Sequence, residues 1–166
     1  MADRPPFDPY AILAALDRRR VAYVVIGSFA RVIRGAEELP EGLDLTPSPR
    51  PENFRRLEEA LRDLEAVGVD DDPISLDDTP GALIQAMSPA GELKIVPDPE
   101  GTRGYDDLRR AATREPLGRG LRPSVASTGD LARMLAALGR DEDRPKLQAL
   151  RHVAELERGV GPELAL

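Results

Sequence analysis

The run Val21-Ala22-Tyr23-Val24-Val25-Ile26 is continuously apolar, rich in β-branched residues, and stopped by Gly27. A strand without polar alternation is buried on both faces, so it belongs at the centre of a sheet that helices cover on both sides. That requirement predicts an α/β (α+β) fold with a mixed sheet. After the strand, Gly27-Ser28 forms a turn, with Ser28 as cap of a short helix reaching Arg34, ended by Gly35. A polar loop, Ala36 to Glu41, leads to a second short strand, Leu43-Asp44-Leu45-Thr46. Strand alternation puts Gly42 and Asp44 on one face and Leu43 and Leu45 on the other.

Other elements follow from local signals. Asp8-Pro9 starts a helix that carries Ile12, Leu13 and Leu16 on one face and ends at Arg18-Arg19-Arg20. Phe54, Leu57, Leu61 and Leu64 recur at helical spacing over residues 51–66. Leu83 to Met87 and Glu92 to Val96 flank Ser88-Pro89-Ala90-Gly91 and predict an antiparallel hairpin. Tyr105 to Ala112 is predicted as a helix. Leu121 to Ala126 reads as an edge strand, because Pro123 lacks the N–H a central ladder needs. Ser127 or Thr128 caps a helix that Gly139 ends, and a last helix runs over residues 142–157. The expected division is an α/β core at 1–126 and a C-terminal helical segment at 127–166, packed as one compact unit.

With 41% hydrophobic residues among 166, the chain has material for one real core. No stretch approaches the roughly 18 apolar residues of a membrane span, and Met1 to Pro6 lacks the apolar core of a signal peptide. A cytoplasmic protein without membrane contact is expected. There is no cysteine and a single histidine, His152, so any metal site must use oxygen ligands. His152 on its amphipathic helix reads as surface packing, and Asp70-Asp71-Asp72 lacks the glycine and terminal Glu of a calcium loop.

A net charge of −7 argues against nonspecific DNA binding, which draws on a basic surface. The charge is uneven, however. Nine acids and one arginine lie between Glu58 and Asp78, whereas six arginines and three acids lie between Arg103 and Arg122. Arginine outnumbers lysine 21 to 2, so Lys94 and Lys146 stand out.

The Gly27-Ser28 turn lets a phosphate approach backbone N–H groups, and Arg31 and Arg34 on the helix behind it are candidates to face that anion. Asp44 lies on the short strand beside that turn. Nucleotidyl transfer needs Mg²⁺ held by carboxylates, and two at i and i+2 on one strand face, with a third from a neighbouring strand, meet the need.

With these motifs goes a wider pattern: Gly91 to Val96, Gly104-Tyr105-Asp106-Asp107-Leu108, and Asp130-Leu131-Ala132-Arg133-Met134 leading to Gly139-Arg140 and Asp143. In order and spacing the chain resembles the nucleotidyltransferase superfamily, specifically small bacterial proteins of the AbiEii and MenT toxin type. The resemblance implies a mixed sheet with flanking helices, NTP and Mg²⁺ as ligands, and Asp44 and Asp143 as site acids. This chain departs from it at three positions. Aspartate is usual where Gly42 and Lys94 stand, and lysine where Leu135 follows Met134; Asp44, Asp130 and Asp143 keep the expected acids.

Two of three metal carboxylates are thus missing, and binding of Mg²⁺ and NTP is expected to be weak or absent. Lys94 is a candidate charge replacement beside Asp44, with a Lys94–Asp44 salt bridge as the minimal outcome. Glu92 is a weaker candidate for a displaced metal ligand. The implied function is a toxin-type nucleotidyltransferase fold with lost or weakened transfer, acting by nucleotide or partner binding. Two alternatives stand beside it: an active NTP-dependent transferase modifying RNA or protein, and a partner-binding component of a toxin–antitoxin or defence system.

Overall fold

A computed structural model describes residues 6–76 and 81–164, with side chains described up to 159. Of the segments discussed above, residues 1–5, residues 77–80 and the last two residues lie outside those described. The elements are α1 (Pro9–Arg18), β1 (Tyr23–Ile26), α2 (Gly27–Ile33), β2 (Gly42–Pro47), α3 (Pro51–Asp63), β3 (Ile84–Ser88), β4 (Gly91–Ile95), α4 (Tyr105–Leu108), β5 (Thr113–Arg114), β6 (Ser124–Val125), α5 (Thr128–Leu138) and α6 (Arg144–Leu164).

Six strands form one mixed sheet in the order β3-β4-β2-β1-β6-β5. The apolar run does supply a central strand: β1 lies antiparallel to β2 and parallel to β6. On the far side β2 runs parallel to β4, and the β3–β4 hairpin is antiparallel as expected. Val24, Val25, Leu43, Leu45, Leu93 and Ile95 are buried, and share one core cluster with Leu16, Leu57, Leu131 and Leu150.

Local chemistry explains several boundaries. Asp8 caps α1 by accepting from the Ala11 N–H, with Pro9 in the first turn. Arg19, just past α1, grips Asp63 and Glu59 of α3. Buried Asn53 on α3 binds both the N–H and the carbonyl of Ala22 and the carbonyl of Ser48. It thereby fixes where β1 begins. Ser127 caps α5 through the Asp130 N–H, and Gly139 ends it in the left-handed region at φ 63°.

Five expectations are corrected. α2 begins at Gly27 with no side-chain cap, so Ser28 is its second residue and not its cap. α3 stops at Asp63, because the chain turns at Glu65, where φ is 57°. α4 is one turn, not a helix to Ala112, since Thr113 and Arg114 leave the helical path to pair with β6. β6 is not the edge: it is two residues long and lies between β1 and β5. Pro123 is tolerated because it precedes the paired residues, and its carbonyl accepts from the Glu115 N–H. Finally, α6 begins at Arg144 after a 3₁₀ turn over Asp141–Asp143, and extends beyond the expected end at residue 157.

Candidate functional site

A cleft of about 580 Å³ opens where β1 ends. Ile26, Gly27, Ser28 and Arg31 border it on one side, Asp44 lies at its base, and Leu131, Met134, Leu135 and Leu138 of α5 form an apolar wall. Val96, Asp98, Glu100, Arg140 and Lys146 complete its rim.

The contact between Gly27 and Asp44 is close enough to dictate the residue. Gly27 has φ +75°, and a Cβ there would lie 2.5 Å from Asp44 Oδ2. Only glycine fits both the conformation and the space. A second glycine shapes the neighbouring strand pair. A Cβ on Gly42 would lie 2.7 Å from the Glu92 backbone carbonyl oxygen, so β2 and β4 are closed against each other where a carboxylate was expected.

Asp44 and Lys94 are register partners across β2 and β4, as are Gly42 and Glu92. The expected Lys94–Asp44 salt bridge does not form. Lys94 Nζ lies 3.7 Å from Glu92 Oε1, and Glu92 also accepts from Gln85 Nε2 at 2.9 Å. Two residues along one strand put both side chains on one face, which draws the ammonium to its own neighbour. Neither Lys94 nor Glu92 lines the cleft; both sit beside Asp44.

The Asp44 carboxylate makes no hydrogen bond or ion pair to another described residue. Burial pushes its carboxyl pKa above the ordinary value; Lys94 opposes this, Glu92 adds to it, and Arg31 opposes it. Lys94 therefore acts on Asp44 through space.

The two arginines of the α2 region behave differently. Arg31 lines the cleft, but its guanidinium is engaged with Glu38 at 2.7 and 3.0 Å. Arg34 does not line it: it donates to the carbonyls of Val125 and Ala126, to Thr113 and to Glu115. The expectation that Arg34 faces an anion is thus replaced by a clamp that ties α2 to β5 and β6.

Asp143 is 3% exposed and reaches the cleft only through its partners. It accepts from Arg140 Nε at 2.6 Å and lies 3.7 Å from Lys146 Nζ, and both cations line the cleft. Asp98 and Glu100 were missed from sequence, for no local pattern marks residues that meet only in the fold; Arg140 stood in the Gly139-Arg140 motif but carried no assigned role there. Lys146 carried one signal, the scarcity of lysine.

Among the described residues, no group of three or more His, Cys, Asp or Glu is placed to hold a metal ion. Mg²⁺ demands near-octahedral oxygen ligation. The donor set around Asp44, with glycine two residues before it and lysine on the adjacent strand, does not fit a two-ion site. No helix among the described residues is long and apolar enough to cross a membrane.

No family model matches the sequence, and no curated protein matches it. Solved structures do. The antibiotic-resistance factor ANT(2'')-Ia superposes with a TM-score of 0.59 at 18% identity, over 92% of this chain and 83% of that one. The lincosamide antibiotic adenylyltransferase LnuA, with lincomycin bound, gives 0.61 at 13% identity, over 87% and 95%. TM1012 from Thermotoga maritima, proposed to be a nucleotidyltransferase, gives 0.55 at 18%, over 82% and 86%. Likeness at such identities is a likeness of architecture, and it agrees with the six-stranded mixed sheet: the chain has the nucleotidyltransferase fold.

Proposed function

We propose that this protein binds a nucleotide in the cleft at the end of β1, with metal-dependent nucleotidyl transfer lost or greatly weakened. The supporting observation is Gly42: its Cβ position lies 2.7 Å from the Glu92 carbonyl oxygen, so the strand pair leaves no room for a carboxylate partner to Asp44. In this reading Gly27, Ser28 and Arg31 border the phosphates, and Lys94, the register partner of Asp44, supplies a fixed positive charge through space where divalent ions would otherwise be needed. Asp143 is a positioning residue that aims Arg140 and Lys146. Glu92, held by Lys94 and Gln85, is a structural partner of Lys94.

Calorimetry with ATP tests this directly, in Mg²⁺ and again in EDTA. Equal affinity in the two buffers and no labelled product from radiolabelled ATP are expected. Binding that needs Mg²⁺, accompanied by a labelled product, would overturn the reading.

A second reading is an active adenylyltransferase acting on a small molecule. It is favoured by the volume of the cleft, about 580 Å³, and by the apolar wall from α5, which suit an organic acceptor beside a nucleotide. LnuA, a fold relative, holds lincomycin. The AbiEii-like toxin type is a finer form of the first reading and is supported by motif order in the sequence. A defence-system partner would meet the acidic stretch that begins at Glu58. Co-purification from the native host with a basic protein would support that form, and a clean monomer would count against it.

A further inference from the structure

A second pocket lies at the opposite end of β1 from the cleft. It encloses about 260 Å³, and Asp17, Tyr23, Arg114, Arg122 and Ser124 are among its lining residues. We propose that this pocket binds a phosphate group through Arg114, Arg122, Tyr23 and Ser124.

The donors are free to do so. Arg114 Nε donates to the Arg122 carbonyl at 3.0 Å, which anchors the guanidinium and leaves its other nitrogens without a partner among the described residues. The Arg122 guanidinium makes no ion pair with another described residue. The hydroxyls of Tyr23 and Ser124 are likewise not hydrogen-bonded to one. Burial, reinforced by Asp17 and opposed by Arg114, raises the Tyr23 pKa, so the phenol keeps its proton as a donor. Strand pairing sets the geometry, since Arg114 and Ser124 are register partners of β5 and β6.

Two guanidiniums and two hydroxyls around one small pocket match the several oxygens of a phosphate, and arginine binds such oxygens in pairs. Asp17 is the single carboxylate in the lining. The pocket also continues. A neighbouring hollow of about 270 Å³ shares Ala22 and Tyr105 with it and brings Arg50, Arg56 and Arg109. Arg56 and Arg109 are paired with Glu52 and Asp106, while Arg50 has no ion pair to a described residue. A positive run on a chain of net charge −7 selects a bound anion locally, without attracting polyanions to the whole surface.

The test titrates the full chain at low ionic strength with inorganic phosphate, then a nucleoside 5'-monophosphate, then a short single-stranded RNA, followed by calorimetry and amide NMR shifts. Shifts are expected at Tyr23 and Ser124. The double variant Arg114→Gln/Arg122→Gln, whose side chains are exposed, should lose about tenfold or more in phosphate affinity. Asp17→Asn should tighten binding several-fold, which a purely structural Asp17 would not do. RNA binding about tenfold tighter than phosphate identifies a strand running on toward Arg50; equal affinities identify a single phosphate group. No phosphate binding by the folded protein, shifts confined to Gly27 and Ser28, or unchanged affinity in the double variant would each overturn the proposal.

Discussion

The two ends of α2 treat charge in opposite ways. At its carboxyl end, Arg34 is satisfied by two backbone carbonyls, a threonine hydroxyl and a carboxylate. At its amino end, Asp44 faces Gly27 partly buried and unpaired, with its pKa raised by burial and only long-range help from Lys94 and Arg31. A charged group that is buried and fully partnered holds elements together. A charged group that is buried and left unpartnered destabilises the fold at neutral pH, and such a group marks a place where a ligand can supply what the protein does not.

The largest expected effect lies at the partnered end. Arg34→Ala removes the clamp, takes the cation from Glu115 and leaves it only the Thr113 hydroxyl, and takes the guanidinium from two backbone carbonyls, for a loss of about 3 kcal/mol by urea denaturation. A loss near zero would make the clamp a surface contact. Next comes the closed strand pair. Gly42→Asp should cost about 2 kcal/mol, because the obstructing atom is a backbone oxygen that cannot swing aside. In the Gly42→Asp/Lys94→Asp double variant, Mg²⁺ titration should still show no tight site. From sequence alone that pair of changes would be expected to restore one, so tight binding by a folded double variant would show that β2 and β4 can separate.

Gly27→Ala should cost about 1.5 kcal/mol, chiefly from its left-handed backbone. Its clash is with the Asp44 side chain from Cβ outward, so an Asp44→Gly background should relieve part of the loss; a strictly additive cycle would break the proposed contact. The smallest effect is a gain. The folded state binds the Asp44 proton more tightly than the unfolded chain does. Ionisation therefore destabilises the fold: the loss begins as pH rises past the ordinary carboxylate value and is complete above the raised folded value. Asp44→Asn should match the parent at low pH and exceed it in stability at neutral pH. A variant less stable at neutral pH would mean Asp44 has a partner after all.

The sequence by itself determined what short-range forces decide. The apolar run before Gly27, the Asp8 and Ser127 caps, the Gly139 stop and the β3–β4 hairpin each depend on neighbours within a few residues; the caps and the stop are where the sequence puts them, and the two strand readings shift only at their ends, β1 starting at Tyr23 and the hairpin pairing Ser88 with Gly91. That Lys94 lies beside Asp44 was also legible, through the resemblance; their register is a finding of the structure. Only the tertiary structure decided which charges meet. Lys94 turned to Glu92 and not across to Asp44, and Arg34 turned to β5 and β6, because each choice weighs a partner from a distant part of the chain; the local cluster of Arg140, Asp143 and Lys146 meets the cleft only once the fold is formed. The same holds for α4 and β6: pairing with β5 outweighed helical propensity after Leu108, since backbone hydrogen bonds to a strand are gained only once that strand is in place.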